Sequence, residues 1–280
     1  MANLSWITGL REVFVKDPTG NRVGYFTDIT KALAAIGDAG EYQAAWFSLN
    51  ICPGIPAGFE PNRLYKARGR FNKTDYAGRQ LLLVDCDPKR PADTASTDTQ
   101  KAAAKLQVLA IRDFLRNLGF PEPILCDSAN GFHLLYALNE PNDEATENLI
   151  RKFLAGLSVK FSNEESQVDT GNYEASRLCK LYGTVARKGN DPSLWRRSAV
   201  LEVPTRETEL PAKGGSVRQT VTDIDFEPVP RALLEAAVAE LPVPRDTKMG
   251  EMTEDDIRKT DWLRKLCEVG QVAILNERRK

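Results

Sequence analysis

Leu81-Leu-Leu-Val-Asp-Cys-Asp87 places two carboxylates at alternate positions at the end of an apolar run. If the run is a strand, Leu81, Leu83, Asp85 and Asp87 share one face, while Leu82, Val84 and Cys86 share the other. Two same-side carboxylates about 6.6 Å apart can converge on divalent ions of the kind held about 3.5–4 Å apart in nucleotidyl-transfer sites. Magnesium or manganese, two hard ions, suits such oxygen ligands. An isolated Asp-x-Asp also serves as a turn-forming pair. At the buried end of so apolar a strand, however, the acids are costly without cations.

Two further segments carry chemistry. Ser128-Ala-Asn-Gly-Phe-His133 puts a hydroxyl and an imidazole on either side of a tight turn, whose backbone N–H groups would form a small anion cradle. A hairpin turn beside a packed histidine has the same sequence form. Further on, Asp169 precedes Arg177, Lys180 and Lys188. That order offers a third metal-bridging carboxylate followed by three cations able to neutralise a triphosphate. Any one of these residues could equally sit on a salt-bridged surface strand.

Composition limits what these groups can do. The chain has 280 residues, 42% hydrophobic and 28% charged, which is enough to bury a core and excludes a disordered or fibrous protein. Its single histidine, His133, excludes mechanisms that need two. The five cysteines are odd in number and never form Cys-x-x-Cys, which argues against disulfides and a zinc knuckle. No run of 18 apolar residues and no basic-then-apolar leader occurs, so neither a membrane span nor a secretory signal is expected, and the expected location is cytoplasmic. Net charge is −1, but the charge is unevenly spread. Residues 61–90 hold eight basic residues against three acidic, whereas residues 222–256 hold ten acidic against three basic. Arg68, Arg70, Lys73 and Arg79 in the first stretch are candidate DNA contacts, with Tyr65, Phe71 or Tyr76 available for base stacking.

The elements that must position these groups follow from pattern. Residues 13–16, 23–26, 45–49 and 81–87 read as strands, and 28–36 as a helix. Thr97-Asp-Thr-Gln100 has the form of a capping box. It opens a helix whose stripe runs through Leu106, Val108, Ala110, Ile111, Phe114 and Leu115 and which stops at Gly119. Residues 123–127 and 132–138 read as a hairpin about Asn130-Gly131. Asn142 is expected to cap the next helix, and residues 168–169 and 178–185 are extended. The expectation is an α+β fold with a mixed or antiparallel sheet. Residues 1–203 form the catalytic domain, residues 204–229 a linker or long loop, and residues 230–280 a small C-terminal helical region with helices at 230–241 and 253–270. The last residues close no element, so the chain is expected to be one part of a longer polypeptide.

Taken together, Leu-Leu-Leu-Val-Asp-Cys-Asp-Pro-Lys-Arg-Pro, Ser-Ala-Asn-Gly-Phe-His-Leu and Asp-x-x-Asn-x-x-x-x-Arg-x-x-Lys-x-x-Gly-Thr-x-x-x-Lys resemble the three motifs of the archaeo-eukaryotic primase superfamily. The likeness is to the primase-polymerase domains of plasmid, phage and mobile-element replication proteins, over roughly residues 20–200. It implies an RRM-like sheet as catalytic core, packed with a second α/β module. It also implies two divalent ions, Mg2+ or Mn2+, on Asp85, Asp87 and Asp169. His133 and Ser128 would contact the incoming nucleotide together with Asn130, Gly131 and Asn172, while Arg177, Lys180 and Lys188 would hold its triphosphate. The implied partners are a single-stranded DNA template, NTPs or dNTPs, and a helicase fused downstream or encoded separately, since no Gly-x-x-x-x-Gly-Lys-Ser/Thr motif occurs here. The sequence differs from the family's usual form at Ala129, commonly Gly, at Lys180, frequently Arg, and at Tyr182, often Pro.

The implied reaction is template-directed primer synthesis or extension with release of pyrophosphate. A non-catalytic module that binds single-stranded or origin DNA would bind DNA without incorporating nucleotides. A metal-dependent nuclease would cleave a strand without triphosphates, and it leaves the cations around Lys180 without a task.

Overall fold

Apolar alternation builds two antiparallel sheets, and their packing creates the site. The structure, a computed structural model, describes residues 4–38, 41–210 and 219–243. In chain order the first elements are β1 (Arg11–Lys16), β2 (Arg22–Phe26), α1 (Ile29–Asp38), β3 (Ala44–Ser48), β4 (Leu64–Lys66) and β5 (Gly78–Pro88). Next come α2 (Asp98–Asn117), β6 (Ile124–Asp127), β7 (Phe132–Pro141), α3 (Glu144–Phe161), β8 (Ser166–Val168) and β9 (Leu178–Lys180). The short strands β10 (Val185–Ala186), β11 (Arg196–Arg197) and β12 (Ala199–Glu202) precede β13 (Thr205–Leu210), β14 (Gln219–Ile224) and α4 (Arg231–Glu240).

The first sheet has the order β4-β2-β1-β3-β9 and the second β12-β6-β7-β5-β8. Within the second, the run β5-α2-β6-β7-α3-β8 with β8-β5-β7-β6 adjacency is the split βαβ arrangement of RRM-like sheets. The fold is therefore α+β, and among the described residues every ladder is antiparallel apart from an isolated parallel bridge from Ala137 to Pro228.

The alternation along β5 decides which side does chemistry. Leu82, Val84 and Cys86 join the core beneath α2, α3 and α4. Leu81 and Leu83 join the core shared with Val13, Val15 and Phe47 of the first sheet. Asp85 and Asp87 therefore emerge on the side facing the first sheet.

Several local expectations are met and others are corrected. Thr97 and Gln100 form the reciprocal capping box at 3.0 and 3.2 Å, and α2 stops before Gly119, which adopts φ +90°. Within α2, however, Leu106 is 72% exposed, and the buried stripe runs through Ala104, Gln107, Val108, Ile111 and Leu115. Asp143, not Asn142, caps α3, accepting from the Thr146 N–H at 2.7 Å. Asn142 instead ties down the preceding loop by donating to the carbonyls of Lys73 and Tyr76.

The stretch 204–229, expected as a linker or long loop, contains the β13–β14 ribbon. Helix α4, expected in a separate appendage, buries Leu234 and Ala237 in the core beneath the second sheet, and the compact unit reaches Val243. The helix expected at 253–270 lies outside the described residues. Among the described residues no helix is long and apolar enough to cross a membrane.

Candidate active site

A cavity of about 540 Å³ opens where the end of β5 meets the edge of the first sheet. Of the residues singled out from sequence, Asp85, Asp87, Ser128, Asn130, His133, Lys180 and Lys188 line it. The sequence reading missed Lys16, Trp46, Arg90, Asp93 and Arg187, which line it too. The cavity wall thus carries five basic side chains, Lys16, Arg90, Lys180, Arg187 and Lys188, around the carboxylates of Asp85, Asp87 and Asp93.

Register sets the central contact. Asp85 on β5 pairs with His133 on β7, so both side chains rise from the same face. The imidazole Nε2 stands 3.3 Å from Asp85 Oδ1. Its Nδ1 lies 2.7 Å from the Tyr182 hydroxyl and 3.6 Å from Cys179 Sγ. Burial opposes protonation of His133, but the Asp85 carboxylate, followed by Cys179, holds the imidazolium well above its ordinary range. Tyr182 is fully buried and fixes the ring from behind through Nδ1, which leaves Nε2 turned toward Asp85. Sequence alone showed Tyr182 only as a departure from a motif.

The neighbouring carboxylate, Asp87, faces a guanidinium and not an imidazole. Burial and then the Asp85 charge push the Asp87 carboxyl up to about 6, against the opposing pull of Arg90, His133 and Lys188. Arg90 stands 3.6 Å from Asp87, its guanidinium also donating to the carbonyls of Pro88 and Thr94. Asp85 Oδ1 is buried and, despite the nearby imidazole, has no partner in hydrogen-bond geometry. Two adjacent carboxylates, one with a buried oxygen left without a hydrogen bond, offer the oxygen ligands that a divalent cation binds.

The third expected carboxylate is placed differently. Asp169 lies directly after β8 and its N–H donates to the Asp85 carbonyl at 2.9 Å, beside the pair in register. Its side chain, however, turns onto its own loop and accepts from the Gly171 N–H at 2.7 Å. Among the described residues no three His, Cys, Asp or Glu side chains converge as a metal-holding group. The structure therefore brings two of the three aspartates into the cavity.

The turn between β6 and β7 also differs from expectation. The Ser128 N–H donates to Gly131 O, the Ala129 N–H to Asp127 Oδ1 and the Gly131 N–H to Ser128 Oγ, so these three donors are spent inside the turn and do not form an anion cradle. The left-handed residue is Ala129, at φ +83°. Gly131 is needed for closeness instead: a Cβ there would lie 2.3 Å from Cys86 O and 2.5 Å from Asp87 Oδ1. Asn130 faces the cavity and its Oδ1 accepts from the Ser96 N–H at 3.0 Å.

On the cation side, Lys180 is buried beside Trp46, its Nζ 5.9 Å from the indole. Burial pushes its amine down to about 7. Lys188 lines the cavity as expected. Arg177 is exposed, bonds Gly171 O at 2.5 Å and lines an adjoining cavity. Asn172 is buried outside the cavity.

The basic segment is corrected more strongly. Arg79 is 3% exposed and spends its guanidinium on Asn142, the Tyr173 carbonyl and Glu147, because β5 carries it beneath α3. Lys73 pairs with Glu147 at 3.1 Å. Arg70 pairs with the fully buried Glu12. Arg68 remains exposed. Tyr76 is buried, and Phe71 and Tyr65 pack edge-on against Tyr25 and Phe59, so these three are packing residues.

No model of a known protein family matches this sequence, and no curated protein matches it.

Proposed function

We propose that the chain is a template-directed nucleotidyltransferase, a primase-polymerase acting on single-stranded DNA. One observation carries the reading: an adjacent carboxylate pair, Asp85 and Asp87, with a buried Asp85 oxygen that accepts no hydrogen bond, lies in the same cavity as five basic side chains. The pair calls for a dication and the basic wall calls for a polyanion, and a metal-bound nucleoside triphosphate meets both needs. Asp85 and Asp87 would hold the cation, with Asp169 next to them in register. Mg2+ or Mn2+ bound there would lower the pKa of a primer 3′-hydroxyl and offset charge at the α-phosphate and the departing pyrophosphate.

The chain's own residues do the rest. His133, held at Nδ1 by Tyr182, presents Nε2 to the Asp85 carboxylate at 3.3 Å. Lys180, with its amine near neutrality, takes up a proton as the triphosphate arrives, since a neighbouring anion favours the charged form. Arg90, Arg187 and Lys188 supply fixed positive charge for the phosphates.

Incubation with a single-stranded template, labelled nucleotides and Mn2+ tests the reading. Wild type should incorporate nucleotide. Asp85→Asn and Asp87→Asn should lose more than about a hundredfold, the scale on which removing a transition-state electrostatic contact acts, with circular dichroism unchanged. Strand binding without incorporation would instead establish a binding module, and cleavage without triphosphate a nuclease.

A further inference from the structure

Past Trp46 and Leu178 the carboxylate cavity adjoins a shallower one of about 430 Å³, lined also by Phe14, Arg70, Glu174 and Arg177. Its floor is a row set by register across three strands. Phe14 on β1 pairs with Trp46 on β3, which pairs with Lys180 on β9. Their chain neighbours Val13, Phe47 and Cys179 are buried in the core between the sheets. Side chains alternate along strands, so Phe14, Trp46 and Lys180 share the opposite face.

The two rings are half-buried, 6.2 Å apart and tilted by 40°. The Arg70 guanidinium lies 5.7 Å over Phe14 and the Lys180 amine 5.9 Å from Trp46. The row therefore reads cation, ring, ring, cation. It crosses two strand spacings, about 10 Å, and ends at the carboxylates.

A ligand complementary to this row carries flat π faces and negative charges in alternation. We infer that the row is a stacking platform for the bases of a single-stranded nucleic acid, whose backbone is drawn by Arg177 and Lys180 and which leads into the carboxylate cavity. The inference deepens the proposed function by naming the strand's path, and it rests on that reading for the choice of a strand over a free nucleotide. Glu174 is the one acid lining the shallower cavity, against Arg70 and Arg177, and the buried Glu12 already anchors Arg70. With Glu12 counted these charges cancel, so the choice of a nucleic-acid strand over an acidic peptide rests on the two rings, which offer flat faces for bases.

The test measures strand binding by fluorescence anisotropy in chelator, without nucleotide, so it does not depend on catalysis. A labelled oligothymidylate is compared with an abasic strand of equal length and charge. Wild type should bind the base-bearing strand about tenfold more tightly, the size of one base–aromatic stack. Trp46→Ala and Phe14→Ala should erase that difference while changing abasic binding less than about twofold, Trp46→Phe should keep most of it, and Arg177→Glu should weaken both strands. Equal wild-type affinity for the two strands overturns the platform, and that comparison needs no variant to fold. A mononucleotide that binds in a Trp46-dependent way, with no base-dependent strand binding, overturns it as well. Base-dependent binding without nucleotide incorporation would leave the platform standing and remove the nucleotidyl-transfer reading.

Discussion

Asp87 keeps its place because the turn facing it carries no side chain at Gly131, and the neighbouring Ala129 absorbs the awkward dihedral at φ +83°. An alanine in the left-handed region costs about 1–2 kcal/mol, so the turn stores strain beside the carboxylates. Gly131→Ala would drive a Cβ into Cys86 O and Asp87 Oδ1. The expected outcome is a loss of about 1–3 kcal/mol in urea unfolding, together with a fall in nucleotide incorporation larger than that loss explains, because the displaced atom belongs to the carboxylate pair. Unchanged incorporation would show that Asp87 tolerates displacement. At this scale the carboxylate pair, His133, Lys180 and Lys188 were legible, since each falls in a short motif whose spacing implies a face. Lys16, Trp46, Arg187 and Tyr182 were not, because they arrive through register or loop geometry between distant segments and leave no local pattern, and Arg90, though close to Asp87 in sequence, is brought to it by the turn after β5. Arg79 was misjudged, and the anchoring of Arg70 missed, for a related reason: a count of charges along a segment does not show that Glu147 and Glu12 wait beneath them.

Among the elements, α4 and the ribbon before it show what hydropathy conveys and what it hides. The α4 helix was legible as a helix, but its destination was not. It lies against α3 where Gly156 allows contact, since a Cβ there would come 2.7 Å from Leu241 Cβ, and Arg231 ties its first turn to Glu140 at 2.6 Å. The Val229 N–H donates to Ala137 O on β7, so the chain is fastened to the RRM-like sheet just before the helix begins. Leu234, fully buried, is the helix's main anchor. Leu234→Ala should cost about 2–5 kcal/mol in urea unfolding and do so in a single transition shared with the rest of the sheet. A separate, earlier transition confined to α4 would restore the picture of an independent appendage. The β13–β14 ribbon escaped detection because Thr205-Arg-Glu-Thr-Glu-Leu210 is polar on both faces and gives no alternating signal for a strand. The capping box of α2 and the apolar run of β5 were read correctly because each signal is contained within one element.

For the molecule as a whole, two buried cations in one cavity give a stability that depends on pH in opposite directions. The Lys180 amine, pushed down to about 7, is largely neutral in the folded state where the unfolded chain, with a lysine pKa of about 10.4, is still protonated. The unfolded state then binds more protons, so this group's contribution rises with pH above about 7. His133 does the reverse. Its pKa is held above the ordinary value of about 6.5, so its contribution is complete below that pH and is lost as pH rises toward the folded value. Asp87, raised to about 6, adds a decline from about pH 4 to 6 that is nearly finished by pH 7. Above about pH 8.5 the buried Cys86 and Cys126 thiols, pushed up by burial, bring a further decline. Above about pH 7 the two cations therefore act in opposite directions, and urea midpoints of the wild type should change less with pH than those of a variant that lacks either one. Lys180→Met should leave His133 unopposed, so that stability falls with pH, whereas His133→Gln should make it rise, with a Lys180 slope approaching about 1.4 kcal/mol per pH unit for one proton. Lys180→Met should also be the more stable protein at pH 7, since it removes the cost of a buried ammonium, yet bind triphosphate more weakly. Parallel pH profiles in wild type and both variants would mean that neither cation is held away from its solution behaviour. Lys180 would then be a full ammonium before any ligand arrives, with no proton to take up as a polyanion binds.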